Sequence, residues 1–187
     1  SALLFYAGWE LIIVGLLCIL FAFLYTTGPY PLSYNGWGDV LVIVFFGFVP
    51  VGGTYYVQAL TWTSDTTVAS LICGLLIDTL LVVNNYRDRE ADARSGKRTV
   101  IVRFGEKFGR YLYLMLGVAA SLLCFWFFFE GHLFAALLPL LYLIPHVLTW
   151  RRMVQIHSGK KLNSILGETS RNMLLMGILI AIGMLIN

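Results

Sequence analysis

Charge is what this sequence has least of: Asp, Glu, Lys and Arg make up 12% of its 187 residues, against about 25% in an average soluble domain. So little charge excludes a disordered chain, which stays open on high net charge and low hydrophobicity. It equally excludes a basic nucleic-acid-binding domain, so no nucleic acid is expected as a partner. Cysteine is nearly as scarce. Cys18, Cys73 and Cys124 all stand in apolar stretches, which excludes a secreted disulfide scaffold and reads as three small buried hydrophobes rather than a redox or metal set. Apolar residues fill 59% of the chain, where a soluble domain has roughly 45–50%, and the mean hydropathy is +0.80. No water-facing surface can be built from this composition. The chain reads as an integral membrane protein, an all-α polytopic helix bundle with the lipid bilayer as its solvent.

Basic residues are missing from most of the chain. All thirteen Lys and Arg residues fall in two windows, eight from Arg87 to Arg110 and five from Arg151 to Arg171. A hydrocarbon core about 30 Å thick takes about 20 apolar residues of helix. Six segments qualify: 3–24, 39–57, 67–85, 111–129, 133–150 and 170–186. Turn chemistry separates them, as in Thr27-Gly28-Pro29-Tyr30-Pro31 and Tyr34-Asn35-Gly36-Trp37-Gly38. Pro50, Pro139 and Pro145 lie inside spans and are expected to kink helices. The basic windows follow spans three and five, so they share one side of the membrane, and positive-inside bias makes that side cytoplasmic. This topology puts Ser1 and Asn187 outside. A chain that starts outside without a basic flank or signal peptide reads as a fragment: residues 1–187 are expected to form a single transmembrane domain preceded by an odd number of missing spans.

The stretch with chemistry in it is Asn84-Asn85-Tyr86-Arg87-Asp88-Arg89-Glu90-Ala91-Asp92-Ala93-Arg94-Ser95-Gly96-Lys97-Arg98-Thr99, which carries the third span out of the membrane. Asp88 and Asp92 are four apart, so on a helix they share one face, one 5.4 Å turn apart. Asn84 lies one turn earlier on that stripe, and Asn85 is expected to stand beside it. Oxygen donors of this kind suit magnesium, which takes one or two carboxylates and completes its shell with water and phosphate oxygens. Lys97 and Arg98 follow a flexible Gly96 and could close over a phosphate. The plain alternative is an ordinary cytoplasmic loop in which Arg87, Arg89, Glu90 and Arg94 are solvated topology determinants. On chemistry alone the two readings stand level.

The same stretch, followed by Val102-Arg103-Phe104-Gly105, resembles the second aspartate-rich motif of the UbiA superfamily of intramembrane prenyltransferases. Gly28-Pro29-Tyr30-Pro31-Leu32, Phe45-Phe46-Gly47 and Gly53-Thr54-Tyr55-Tyr56-Val57-Gln58 are similar to the branch that prenylates 1,4-dihydroxy-2-naphthoate in menaquinone synthesis. So are Leu148-Thr149-Trp150-Arg151-Arg152, Leu162-Asn163, Gly167-Glu168-Thr169 and Arg171-Asn172. The resemblance implies nine transmembrane helices and two aspartate-rich motifs. No Asn-Asp-x2-Asp pattern occurs before residue 84, so the six spans are expected to be the last six of nine, inactive without the N-terminal helices of the same protein. It further implies that Asp88 and Asp92 bind Mg2+ and are catalytic, with Asn84 or Asn85 as neighbouring polar ligands. Lys97 and Arg98, and more weakly Arg103, would contact the diphosphate. The substrates implied are a polyprenyl diphosphate and an aromatic acceptor, joined with loss of the acceptor's carboxyl group to give demethylmenaquinone. The setting implied is a bacterial cytoplasmic (inner) membrane, with the active loop on the cytoplasmic side. Acceptors such as 4-hydroxybenzoate or homogentisate belong to neighbouring branches that share the metal motifs.

Other residues carry less. Asp78 lies about 15 Å deeper than Asp88 along one helix, on the Asn85 face. It is a candidate by virtue of being ionisable inside a span, either facing a cavity or serving as a structural acid. Glu10 reads as interfacial, His132, His146 and His157 as core or surface residues, and the run Phe125-Trp126-Phe127-Phe128-Phe129 as an interfacial belt. Glu168, Arg171 and Asn172 read as capping and topology residues at the mouth of the last span. Two rivals remain. A CDP-alcohol phosphotransferase would need an Asp-Gly and a further glycine ahead of Asp-x3-Asp, which are lacking. A small transporter lined by Asp78 and Gln58 leaves the loop motif unexplained.

Overall fold

In the computed structural model, which describes residues 7–186, helices follow one another with short connections and no strand occurs among the described residues. We number them α1 (Glu10–Thr26), α2 (Gly38–Ala59), α3 (Ser64–Arg94), α4 (Val100–Phe129), α5 (Leu133–Ile156) and α6 (Lys160–Leu185). The last five are long and apolar enough to cross a membrane. α1 has 17 residues, about 25 Å at 1.5 Å per residue, and is apolar but short of a full span. The start of the expected 3–24 span lies outside the described residues, as do Ser1 and Asn187.

The helices at the basic end outrun the spans read from hydropathy. α3 continues from the expected 85 to Arg94, α4 begins at Val100 rather than 111, and α6 begins at Lys160 rather than 170. Hydropathy marks only the part of a helix that meets lipid. The charged turns beyond it are held by pairs such as Arg110 Nη2 on Glu106 Oε1 at 3.0 Å, one turn apart. The basic windows are therefore helix ends joined by short turns, 95–99 and 157–159. Arg87 Nη1 donates to Asn163 Oδ1 (3.0 Å) and Arg89 Nη1 to the His157 carbonyl (3.1 Å). Both windows lie at the same end of the bundle, as their charge implied.

α3 is the central element. Thr63 caps its start, its hydroxyl accepting from the Thr66 amide at 3.2 Å. Its 31 residues span about 46 Å, so it must project beyond a hydrocarbon core about 30 Å thick. α2 packs on it through small residues: a Cβ added at Gly47 would lie 2.5 Å from the Ser70 carbonyl oxygen and 2.8 Å from the Gly74 Cα. Backbones this close are the small-residue packing of membrane helices. One apolar cluster gathers Val82, Val83 and Tyr86 of α3 with Ile101, Tyr113, Met153 and Ile165 near the basic end. A second joins Ile72 and Leu76 to Ala120, Phe127, Tyr142 and Met176 near the other.

The prolines mark irregular winding at two of three positions. Pro50 sits in a π-helical stretch, Ile43–Gly52, and Pro139 in a 3-10 stretch, Leu138–Tyr142. In each the missing N–H lets the ladder change pitch. Pro145 falls in the first turn of the regular helix that follows, Leu143–Ile156, where its lack of a donor costs little. A further break comes at Gly105, whose φ of 86° and ψ of 170° interrupt α4. His146 is a core residue: its ring stacks on Tyr113 and Tyr142 at 4.7 and 5.0 Å, and Tyr142 Oη meets its Nδ1 at 2.9 Å.

Candidate prenyl diphosphate site

The projecting end of α3 presents Asn84 and Asp88 on one stripe, and a guanidinium stands between them. Arg87 donates Nε to Asp88 Oδ1 (2.7 Å), and Nη2 to both Asp88 Oδ2 (2.6 Å) and Asn84 Oδ1 (2.7 Å). With Asn163 Oδ1 on its Nη1, three oxygen-bearing side chains from two helices surround one cation. Arg87 is thus fastened, not the solvated topology determinant that the loop reading allowed. One turn further on, Asp92 faces Lys97, Nζ to Oδ2 at 3.5 Å. The chain brings Lys97 there by folding back on itself: the Lys97 amide and the Ser95 hydroxyl both donate to the Asp92 carbonyl, at 2.9 and 3.0 Å.

Asn85 is not beside Asn84. One residue is about 100° of helix, and this rotation turns Asn85 toward α1 and α2, where it is 3% exposed. It lines a small closed polar pocket with Tyr25, Ser33, Asp39, Lys97 and Thr99. Asn85, expected beside Asn84 as a substrate contact, thus sits in a buried place next to Lys97, off the Asn84 stripe. Asp78, about two turns deeper on the same face, is 1% exposed. Its Oδ1, like that of Asp39, has no hydrogen-bond partner among the described residues, and Asp39, Asp78 and Tyr25 are close enough to interact electrostatically.

The other two basic candidates lie on the rim. Arg98 is exposed, and its backbone amide donates to the Tyr34 carbonyl at 2.7 Å. Arg103 is exposed too, but its Nη2 is spent on the Asn35 carbonyl at 2.7 Å, so it ties α4 to the 31–38 turn rather than standing open. Arg89 and Arg110 are structural: both pair with Glu106, at 3.0 Å each, and His157 joins them at 2.9 Å. Glu90 and Arg94 are exposed.

Beneath these charges lies apolar space whose lining residues the sequence did not single out. Val42, Phe46, Ile77, Leu80 and Leu166 line a shallow open groove of about 380 Å³ with Asn84 at its head. Ile77 also lines a second groove of about 340 Å³, with Ala69, Cys73, Phe127 and Met173 among its walls. Together they follow α3 from Asn84 to Ala69, fifteen residues or about 22 Å. The signal was the pair of small residues Ala69 and Cys73, one turn apart on a span otherwise rich in leucine and isoleucine.

Among the described residues no three His, Cys, Asp or Glu side chains are grouped to hold a metal by themselves. The donors at the α3 end nonetheless fit a hard divalent ion in part: two carboxylates and two amide oxygens, already gathered about cations, leaving several positions for phosphate oxygens and water.

The profile of the UbiA prenyltransferase family matches residues 1–184. A 1,4-dihydroxy-2-naphthoate octaprenyltransferase of Haemophilus influenzae is 38% identical over 181 residues, 92% of this chain and 56% of that protein. One of Mycobacterium leprae is 45% identical over 117 residues, 63% of this chain and 40% of that protein. The UbiA prenyltransferase domain-containing protein 1 of Dictyostelium discoideum is 30% identical over 163 residues, 87% and 48% of the two chains. The chain spans about half the length of these curated relatives. No solved structure matches it. On the family match, which runs nearly end to end, the chain belongs to the UbiA prenyltransferase family.

Proposed function

We propose that the protein bearing this chain transfers a polyprenyl group from its diphosphate to 1,4-dihydroxy-2-naphthoate, with magnesium and with loss of the acceptor's carboxyl group. The observation that carries the reading is that Asn84, at the head of an apolar groove, is followed along the same helix by Asp88 and Asp92, each beside a cation. Relatives named for this acceptor support the choice of ring.

Asp88 and Asp92, with Asn84, would hold the metal, which when bound supplies charge neutralisation and Lewis acidity to the leaving diphosphate. Arg87 and Lys97 are already paired to these carboxylates, so they can turn to phosphate oxygens when the carboxylates are otherwise engaged. Arg98 adds positive charge at the rim. The groove from Asn84 to Ala69 takes the prenyl tail, which fixes the allylic carbon at the charged mouth. Breaking the C–O bond releases diphosphate and leaves an allylic cation. The electron-rich ring carbon that bears the carboxylate forms the new C–C bond, and carbon dioxide departs with the electron pair restored to the ring. Stabilising charge where it develops is the main contribution expected of such a site. The setting is a bacterial inner membrane with the α3 end at the cytoplasmic face, in keeping with its arginines and lysines.

The test is prenyl transfer in membranes carrying the full-length protein, with the two acceptors 1,4-dihydroxy-2-naphthoate and 4-hydroxybenzoate offered separately. Magnesium-dependent product on naphthoate, with carbon dioxide released, is the expected result. Asp88→Asn and Asp92→Asn should each lower turnover by about two to three orders of magnitude while leaving insertion intact. Transfer only to hydroxybenzoate would correct the acceptor. Wild-type rates in both variants would remove the metal site.

A further inference from the structure

We propose that the cleft between α5 and α6 binds the head group of an anionic phospholipid. The cleft has a volume of about 460 Å³ and shares no residue with the prenyl diphosphate site or its grooves. Arg151 and Arg152 come from the end of α5, and Glu168 and Arg171 face them from α6. Arg152 and Glu168 neutralise one another, Nη1 to Oε1 at 2.5 Å. Arg151 and Arg171 have no acidic partner among the described residues. Two guanidiniums are left uncompensated in one cleft. Its back wall is closed and polar, with Asn172 Nδ2 donating to Thr149 Oγ1 at 2.9 Å, both side chains buried.

The apolar surroundings choose the ligand. Leu141, Ile144 and Leu148 are 51%, 62% and 54% exposed and form a stripe at helical spacing along α5 that ends at Arg151. Cation at the top and bare leucine and isoleucine below is the imprint of an amphiphile, with a phosphate head in the cleft and acyl chains along the stripe. A phosphodiester carries one negative charge and two free oxygens, which the fork of a guanidinium matches bidentately. A prenyl diphosphate would bring more charge than two guanidiniums balance, and the one carboxylate here is already taken by Arg152, so no metal can make up the difference. The cleft lies at the basic end of the bundle, where interhelical basic pockets meet anionic head groups.

The experiment is native mass spectrometry of the full-length protein in mild detergent, offered phosphatidylglycerol or phosphatidylcholine with the same acyl chains. Phosphatidylglycerol should be retained at least about fivefold better. The double variant Arg151→Gln with Arg171→Gln should lose that preference, and Arg151→Lys with Arg171→Lys should keep most of it. Should the glutamine variant not fold, Gln155→Glu, which sets a negative charge in the same cleft, should reduce phosphatidylglycerol binding alone. Inorganic phosphate and geranyl diphosphate, added as competitors, should not displace the lipid at equal concentration. Equal retention of the two lipids, or an unchanged preference in the charge-removing variants, would overturn the proposal. Displacement by geranyl diphosphate would overturn it too, assigning the cleft to substrate.

Discussion

Arg87 and Lys97 decide how the two motif aspartates present themselves, since each aspartate meets one cation. Lys97 is the more movable of the pair, a single contact of 3.5 Å on a turn that follows Gly96. If it turns to the diphosphate, Lys97→Ala removes one charge-assisted hydrogen bond from that substrate only. Steady-state kinetics should show the KM for prenyl diphosphate raised about tenfold, about 1.4 kcal/mol, with the KM for naphthoate little changed. Equal effects on both would return Lys97 to a structural role. Asp78 makes a contrasting case. A carboxyl group buried with an unpartnered oxygen beside a second acid costs the fold its desolvation, and Asn keeps the shape without an ionisable group. Asp78→Asn should leave the melting temperature in detergent unchanged or higher. A fall of about 5 °C, on the order of 1–2 kcal/mol, would mean that the carboxylate holds a bound cation or donor. The shared face of Asp88 and Asp92 was legible in the sequence, because it follows from period 3.6. The partner of each was not: the step from Asn84 to Asn85 changes the face, and only the position of α1 and α2 says what lies on it.

At the scale of elements, the α2 and α3 pair is fixed by glycine rather than by large side chains. Gly47 lies directly against the α3 backbone, with Ser70 oxygen and Gly74 atoms all inside 3.0 Å of a would-be Cβ, and backbone cannot move aside cheaply. Gly47→Ala should therefore destabilise the protein by about 1–3 kcal/mol, the usual cost of overpacking, seen as a lower melting temperature in detergent. Gly53→Ala is the control, since nothing lies within 4 Å of its Cβ position, and it should be neutral or stabilising. An undiminished melting temperature for Gly47→Ala would show that the helices have room to separate. The number and order of apolar helices were legible from run length and turn residues. Their charged ends were not, because hydropathy falls to nothing at Arg87 while the helix of α3 continues to Arg94. The break at Gly105 was equally hidden: a φ of 86° is open to glycine, but a glycine in sequence does not announce that it uses it.

Across the whole molecule, the charged mouth and the apolar lane are joined by one helix, and under the proposed function the lane sets which prenyl chain lengths fit. The lane is two grooves that meet at Ile77, one leading up to Asn84 and one leading down past Met173 and Ala181. A short prenyl chain needs only the upper groove, whereas a long one must pass Ile77. Ile77→Trp should fill the junction and leave both the mouth and the upper groove in place. With geranyl diphosphate the variant should turn over within about twofold of wild type, whereas with an octaprenyl donor its kcat/KM should fall by at least about tenfold, a loss of about 1.4 kcal/mol. Equal losses on both donors would mean that the substitution disturbs α3 itself. Unchanged rates on both would place the tail outside this lane, along another face of the bundle.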